Sequence, residues 1–196
     1  MSVVLEPVVS QATVAVRGTP ILGLCHFIRN ELGAERAAAV LRELPEPYGS
    51  RFAAASFLAS DRVPLSVVNQ ATKLAARAKG EPVESFAERA GHFGASEGIR
   101  TVFKPLFLIL SVANALAVAP MMWTRIYDTG KMQVESTKNH AVIHVREFPG
   151  DEAGCSRITG WFRYIGKLSG ARNLKSRHDA CTAKGGAECR WEFDWE

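Results

Sequence analysis

The sequence lacks a block of like charge, a leader-like N-terminus and any nucleotide-binding or hydrolase signature, and each absence narrows what the chain can do. Its 24 Lys and Arg are interspersed with 20 Asp and Glu, for a net charge of +4. No basic helix carries interleaved aromatics, so a solvated surface explains the charges better than a phosphate-tracking stripe, and nucleic acid is not an expected partner. The opening MSVVLEPVVSQATVAV has no positive segment before an apolar core, and Glu6 and Pro7 interrupt it, so the expectation is a cytoplasmic protein. Glycine-rich phosphate loops, nucleophile elbows and HExxH are missing, which leaves no catalytic signature to build on. Glu84 and Glu88, one helical turn apart, read as a solvated face. His140 and His144 share one face of a strand and could chelate a metal, though facing histidines are more often bystanders. The expectation is a chain that is not an enzyme.

Cysteine is also scarce, with four in 196 residues. Without export a disulfide framework is disfavoured, and such thiols are free, catalytic or metal-bound. What is present is ordinary apolar material, 47% of the residues, enough to build one sizeable core. Leu106 to Trp123 (LFLILSVANALAVAPMMW) is the most hydrophobic stretch. Ser111, Asn114 and Pro120 interrupt it, so it reads as a buried helix able to line a cavity rather than a membrane span.

The first half reads as helical. After a β-prone run at Thr13–Val16, Pro20 opens a helix that stops at Gly33, and Ala34–Leu44 continues at helical spacing to Pro45. Helices follow over residues 48–59 and from Pro64 to Lys79, closed by Gly80, and Pro82 opens another. From Lys131 the period changes. KMQVES and HAVIHVREF form an expected hairpin, and CSRITGWFRYIGKLSG an amphipathic helix. Cys189, Trp191, Phe193 and Trp195 alternate with charged residues along the last strand, the mark of a half-buried antiparallel strand. The expected fold is α+β: a single domain over residues 1–196, with a helical part (1–130) packed on a sheet part (131–196) that one helix crosses.

Three cysteines and one histidine fall in the last 42 residues, as Cys155, His178, Cys181 and Cys189. Cys3His is a standard closed set for structural zinc, and the two-residue gap between His178 and Cys181 lets both bind from one tight turn. Strict alternation puts those two side chains on opposite faces, so the site requires a bend at Asp179-Ala180. The alternative is three unrelated core thiols, since cysteine is a common small buried residue. Cys25, in an apolar helical segment, reads as plain core.

The segment GCSRITGWFRYIGKLSGARNLKSRHDACTAKGGAECRWEFDW resembles the C-terminal signature of 4-vinyl-reductase domains, which include aromatic-sensing modules of bacterial transcription activators. In that family a Cys, an acidic residue and a Cys-x7-Cys pair form a zinc site. Cys155, Cys181 and Cys189 match the cysteines, and His178 stands where the family usually has Glu. RGTPILGLCHFIRNELGAERAAAVLRELP and the Trp123, Tyr127 and Gly130 stretch resemble a paralogous bacterial family of standalone domains of unknown function. The wider superfamily includes haem nitric-oxide sensors and subunits of vesicle-tethering complexes, and the resemblance implies their α+β architecture.

What the resemblance implies for function is a non-catalytic sensing or binding domain for a small apolar or aromatic molecule, with structural zinc, acting through a signalling partner. Phe107, Ser111, Trp123, Tyr127, Trp161 and Tyr164 are the expected pocket residues, each of which core packing would also explain. His26 and His92 read as core or surface residues rather than haem ligands. A homodimer is expected. The competing reading is a dimeric interaction module without a ligand, in which the greasy helix is an interface.

Overall fold

A computed structural model describes residues 14–99 and 109–196. At the start of the described chain, β1 (Ala15–Arg17) pairs antiparallel with β2 (Arg62–Pro64) as a separate two-stranded ribbon, with Val16 facing Val63. Between and after these lie α1 (Gly18–Leu32), α2 (Ala34–Leu41), α3 (Tyr48–Ala54), α4 (Leu65–Lys79) and α5 (Val83–Ile99). Glycine stops two of them where the chain turns to positive φ, at Gly33 (φ 81°) and Gly80 (φ 77°), conformations that cost glycine little.

The apolar stretch expected to form one buried helix is divided. Its described part forms α6 (Val112–Ala117) and α7 (Ala119–Ile126), and Leu106, Phe107 and Leu108 lie outside the described residues. Two local causes divide it. The Ser111 hydroxyl accepts a hydrogen bond from the Asn114 amide and so starts α6. Pro120, without an N–H, fits the first turn of a new helix but not the interior of an old one.

The second half is a four-stranded antiparallel sheet in the order β3-β4-β6-β5, from β3 (Lys131–Ser136), β4 (His140–Arg146), β5 (Lys175–Ala180) and β6 (Cys189–Asp194). Between β4 and β5 runs α8 (Glu152–Leu168), which Asp151 caps by accepting from the Ala153 and Gly154 amides. The alternation expected for the last strand is present: Cys189, Trp191, Phe193 and Trp195 are buried. Phe162 of α8 packs edge-on to Phe193, and the buried side chains of both halves form one continuous cluster. The architecture is α+β, with a helical first half on an antiparallel sheet.

Helices α5 and α8 meet backbone to backbone. A Cβ on Gly91 would lie 1.9 Å from the Arg157 carbonyl oxygen, and one on Gly160 would lie 1.9 Å from that of Glu88. This close approach anchors α8 and sets the wall from which the site is built.

Candidate ligand cavity and metal centre

A cavity of about 500 Å³ lies among α1, α5, α7 and α8, with β1 and β3 contributing Val16 and Met132. Its lining is overwhelmingly apolar, and its size suits a small organic molecule. The room comes from side chains that α5 does not have. Gly91, Gly94 and Gly98 fall at helical spacing on one side of α5; Gly91 lets α8 approach, whereas a Cβ on Gly94 or Gly98 would meet nothing within 4 Å. Each helical glycine costs about 1 kcal/mol relative to alanine, so three in one helix call for a reason in packing or function. In the sequence the motif AGHFGASEG carries the signal for the cavity, which the aromatic residues alone do not.

Of the expected pocket residues, Trp123, Tyr127 and Trp161 line this cavity. Trp123 and Tyr127 are buried, with ring centroids 4.3 Å apart, and the Trp123 indole N–H donates to the Thr129 carbonyl at 3.0 Å. Ser111 is instead the cap of α6, and Tyr164 packs edge-on against His92 at 5.0 Å, neither among the lining residues. Phe107 lies outside the described residues. Leu22, Met121 and Met122, along with His26, belong to the lining and were not expected there.

One cation stands at the inner wall. Arg157 of α8 donates to the Thr72 hydroxyl at 2.8 Å and to the Asn69 side-chain oxygen at 2.7 Å, both on α4 and both buried. It also shares a hydrogen bond with the Tyr127 side chain. Burial pulls its pKa down from the ordinary guanidinium value, opposed by Tyr127 and by the charge of Asp151. Burial likewise pushes the Tyr127 phenol up, so that it stays neutral.

The second cluster lies at the other side of α8. Cys155 comes from its first turn, His178 from β5, Cys181 from the β5–β6 turn and Cys189 from the start of β6. One ligand atom from each lies within 4.8 Å of all the others. The bend that the spacing requires is there: the β5–β6 register shifts between His178 and Ala180, and the extra residue Asp179 lets both His178 and Cys181 turn to one side. The Sγ–Sγ separations are 3.8 Å for Cys155–Cys181 and 3.9 Å for Cys155–Cys189 and Cys181–Cys189. Zinc–sulfur bonds of about 2.3 Å at tetrahedral angles put sulfurs about 3.8 Å apart, whereas a disulfide needs about 2.05 Å. The geometry suits a tetrahedral cation and not a disulfide.

The chemistry around the sulfurs agrees. Cys189 is pulled down to about 4, first by the hydrogen bond from Cys155, then by His178 and by the Thr182 hydroxyl and amide, against the opposing effect of burial. Cys181 is pulled down to about 7, again led by Cys155 with help from the Ala183 amide. Cys155, in contact with both sulfurs, is pushed up, first by its hydrogen bonds to Cys181 and Cys189 and then by burial. Cys25, alone in α1, is pushed to about 12 by burial, the behaviour of a core thiol. His178 stacks on Trp191, ring centroids 4.5 Å apart and 11° from parallel. Its Nε2 is buried with no hydrogen-bond partner, a state that costs about 1–3 kcal/mol unless something such as a cation satisfies it. A surface hollow lined by His178, Cys181 and Gly186 gives an ion a route in.

The other candidates are engaged elsewhere. His140 Nδ1 lies 2.9 Å from Asp194, and His144 Nδ1 lies 2.7 Å from Glu188, which also binds Arg146. The two form a polar network on the open face of the sheet rather than a chelate. Glu88 is paired with Arg163, and Glu84 is exposed. No described helix is long and apolar enough to cross a membrane.

No protein-family model and no curated protein matches the chain. Among solved structures its fold is similar to H-NOX domains. The Fe(II) unliganded H-NOX protein from K. algicida aligns at a TM-score of 0.70 and 10% identity, over 92% of this chain and 96% of that one. A triple mutant of the S. oneidensis H-NOX protein aligns at 0.70 and 11% over the same shares. An oxygen-binding H-NOX domain related to soluble guanylate cyclases aligns at 0.67 and 9%, over 92% of this chain and 95% of that one. These neighbours correct the resemblance drawn from the C-terminal segment: they are H-NOX domains, not 4-vinyl-reductase domains. The physical reason is scale. The C-terminal motif specifies one thiol-rich corner, whereas the fold is decided by how eight helices and two sheets pack across the described residues.

Proposed function

We propose that this chain is a non-catalytic binding domain that takes a small, mainly apolar organic molecule into the cavity among α1, α5, α7 and α8. In this reading residues 1–196 act as one unit, Cys155, His178, Cys181 and Cys189 hold a structural zinc ion, and occupancy of the cavity is reported to a partner protein. The observation that carries the reading is the open space over Gly94 and Gly98, where α5 forgoes side chains at a cost in helix stability. Four protein ligands leave a zinc ion no open position for a water nucleophile, which supports a structural rather than a catalytic role.

The H-NOX proteins of similar fold are described with a haem, and one of them binds oxygen. The residues of this chain do not fit that group. Haem iron needs an axial His, Cys, Met or Tyr donor held against the porphyrin. Of the five histidines only His26 lines the cavity, and it is exposed. His92 contacts Tyr164, while His140, His144 and His178 are committed to Asp194, Glu188 and the cysteine cluster. Tyr127 is hydrogen-bonded to Arg157, Met121 is exposed, and Met122 and Met132 line the cavity without a buried histidine there to serve as the second ligand that accompanies methionine in haem proteins. Residues 100–108 contain no His, Cys, Met or Tyr. In this reading the domain pairs a fold similar to that of H-NOX proteins with a cavity suited to an organic ligand.

The test is isothermal titration calorimetry with an uncharged aromatic probe, 2-naphthamide. One site per chain is expected, lost in Gly94→Phe, whose ring would occupy the cavity. Equal binding by both proteins would place the probe elsewhere and remove the cavity reading. A Soret band developing at one haemin per chain, sensitive to His26→Ala, would restore haem.

A further inference from the structure

We propose that the cavity recognises an anionic head on its ligand, and that Arg157 is the residue that binds it, so that the ligand class is an apolar body carrying one carboxylate. The proposal rests on the reading of the cavity as a ligand pocket and adds the charge of what enters it.

Arg157 is placed as a receptor for an anion, and three observations support this. First, it lines the cavity and is half-buried although it sits mid-molecule between α4, α5 and α8. Second, its hydrogen-bond partners among the described residues are all neutral oxygens: Thr72, Asn69 and the Tyr127 side chain. A guanidinium has five N–H donors in a planar fork, and these contacts hold the fork in place without neutralising it. Third, the acid whose charge it feels is already committed. Asp151 is bound to Lys73 Nζ at 2.6 Å and caps α8 through the Ala153 and Gly154 amides. A guanidinium half-buried against an apolar cavity with no carboxylate partner among the described residues is costly, and an entering carboxylate would supply that partner in a charge-assisted bond.

The remaining charges do not offset this. Arg125 is an exposed cation in the same lining, and Glu97, half-buried, is the single acid among the described lining residues. Thr72 and Asn69, one turn apart on α4, fix the guanidinium plane, and Gly154, one turn earlier on α8, leaves room for Asn69, whose Oδ1 would lie 3.2 Å from a Cβ at that position. An apolar molecule entering over Gly94 and Gly98 would thus meet Trp161 and Ile158 along its body and Arg157 at one end.

The experiment is calorimetry on the full chain with three probes of one shape: 2-naphthoate, 2-naphthamide and 2-naphthylmethylammonium. The expected order is anion, neutral, cation, with naphthoate about tenfold tighter than naphthamide. Arg157→Gln is expected to bring the two within about twofold, Arg157→Lys to keep part of the preference, and Arg125→Gln to leave it intact. Equal binding of naphthoate and naphthamide to the unmodified chain would overturn the anion site and leave the pocket reading standing. A preference that survives Arg157→Gln would assign the anion to another residue, and naphthoate binding that survives Gly94→Phe would put it outside the cavity. Binding of no probe would remove the pocket and the anion site together. Should Arg157→Gln fail to fold, the probe order on the unmodified chain still decides whether the site selects an anion.

Discussion

The two clusters flanking α8 were built by opposite means. The thiol-rich corner is made of what the sequence contains: four potential ligands within 42 residues, brought together by one hairpin, one bulge and the first turn of α8. The cavity is made of what the sequence omits, the side chains of Gly94 and Gly98, and its walls come from elements scattered from Val16 to Phe162. A site of the first kind can be read from spacing, because its chemistry dictates residue types. A site of the second kind shows only as an unexplained local cost, here three glycines inside one helix.

That contrast can be broken most forcefully at the corner. Cys189→Ser removes the sulfur that contacts Cys155, Cys181 and Thr182, and the cooperative thermal transition should be lost or lowered by more than about 10 °C, with the same result on chelating the metal. An unchanged melting curve in both experiments would mean that the thiols are ordinary core. Gly150→Ala probes the same corner while leaving every ligand in place. Its Cβ would fall 2.6 Å from Cys181 Sγ, so a loss of about 1–3 kcal/mol and weaker metal retention are expected in denaturation and metal-exchange measurements.

The cavity should respond in the reverse sense. Gly94→Phe is expected to abolish naphthamide binding while metal content is unchanged and stability shifts by about 1 kcal/mol or less, because helix propensity improves as the space fills. Loss of metal in that variant would show that the two clusters are not independent.

Asp151 lies between them and gives a smaller, pH-dependent effect. Burial acts to raise its pKa, but the hydrogen bond and charge of Lys73, with the two amides of α8, hold it below the ordinary carboxylate value. A folded-state pKa below the unfolded one contributes stability above the unfolded value, lost as the pH falls through the folded value. Asp151→Asn should therefore cost about 1 kcal/mol at neutral pH and flatten the loss of stability below about pH 4. Cys25→Ala is expected to have the smallest effect, a loss of less than about 1 kcal/mol with no change in metal, since that thiol is isolated in the core.

Much of the second half was legible because period and chemistry agree there. Cys189, Trp191, Phe193 and Trp195 gave the last strand its buried face, and the conflict between His178 and Cys181 demanded the irregularity found at Asp179. Less of the first half was legible. Arg62–Pro64 is a strand only because β1 lies beside it, a pairing across more than 40 residues that no local pattern announces. The Leu106–Trp123 stretch looked like one helix because hydrophobicity outweighed Ser111 and Pro120, which divide its described part. Arg157 was read within an amphipathic helix, and only the packing of α4 against α8 shows that its charge meets neutral oxygens. The C-terminal motif, in turn, pointed to 4-vinyl-reductase domains, whereas the full fold is similar to H-NOX domains.

The most direct test of the account is native mass spectrometry of the purified chain, compared with its denatured mass. One zinc ion per chain, retained in Gly94→Phe and lost in Cys189→Ser, is the predicted result, with added naphthoate appearing as a second, separate mass increment only when Gly94 is intact. A native mass equal to the denatured mass, with no increment on adding probe, would contradict both the metal corner and the cavity.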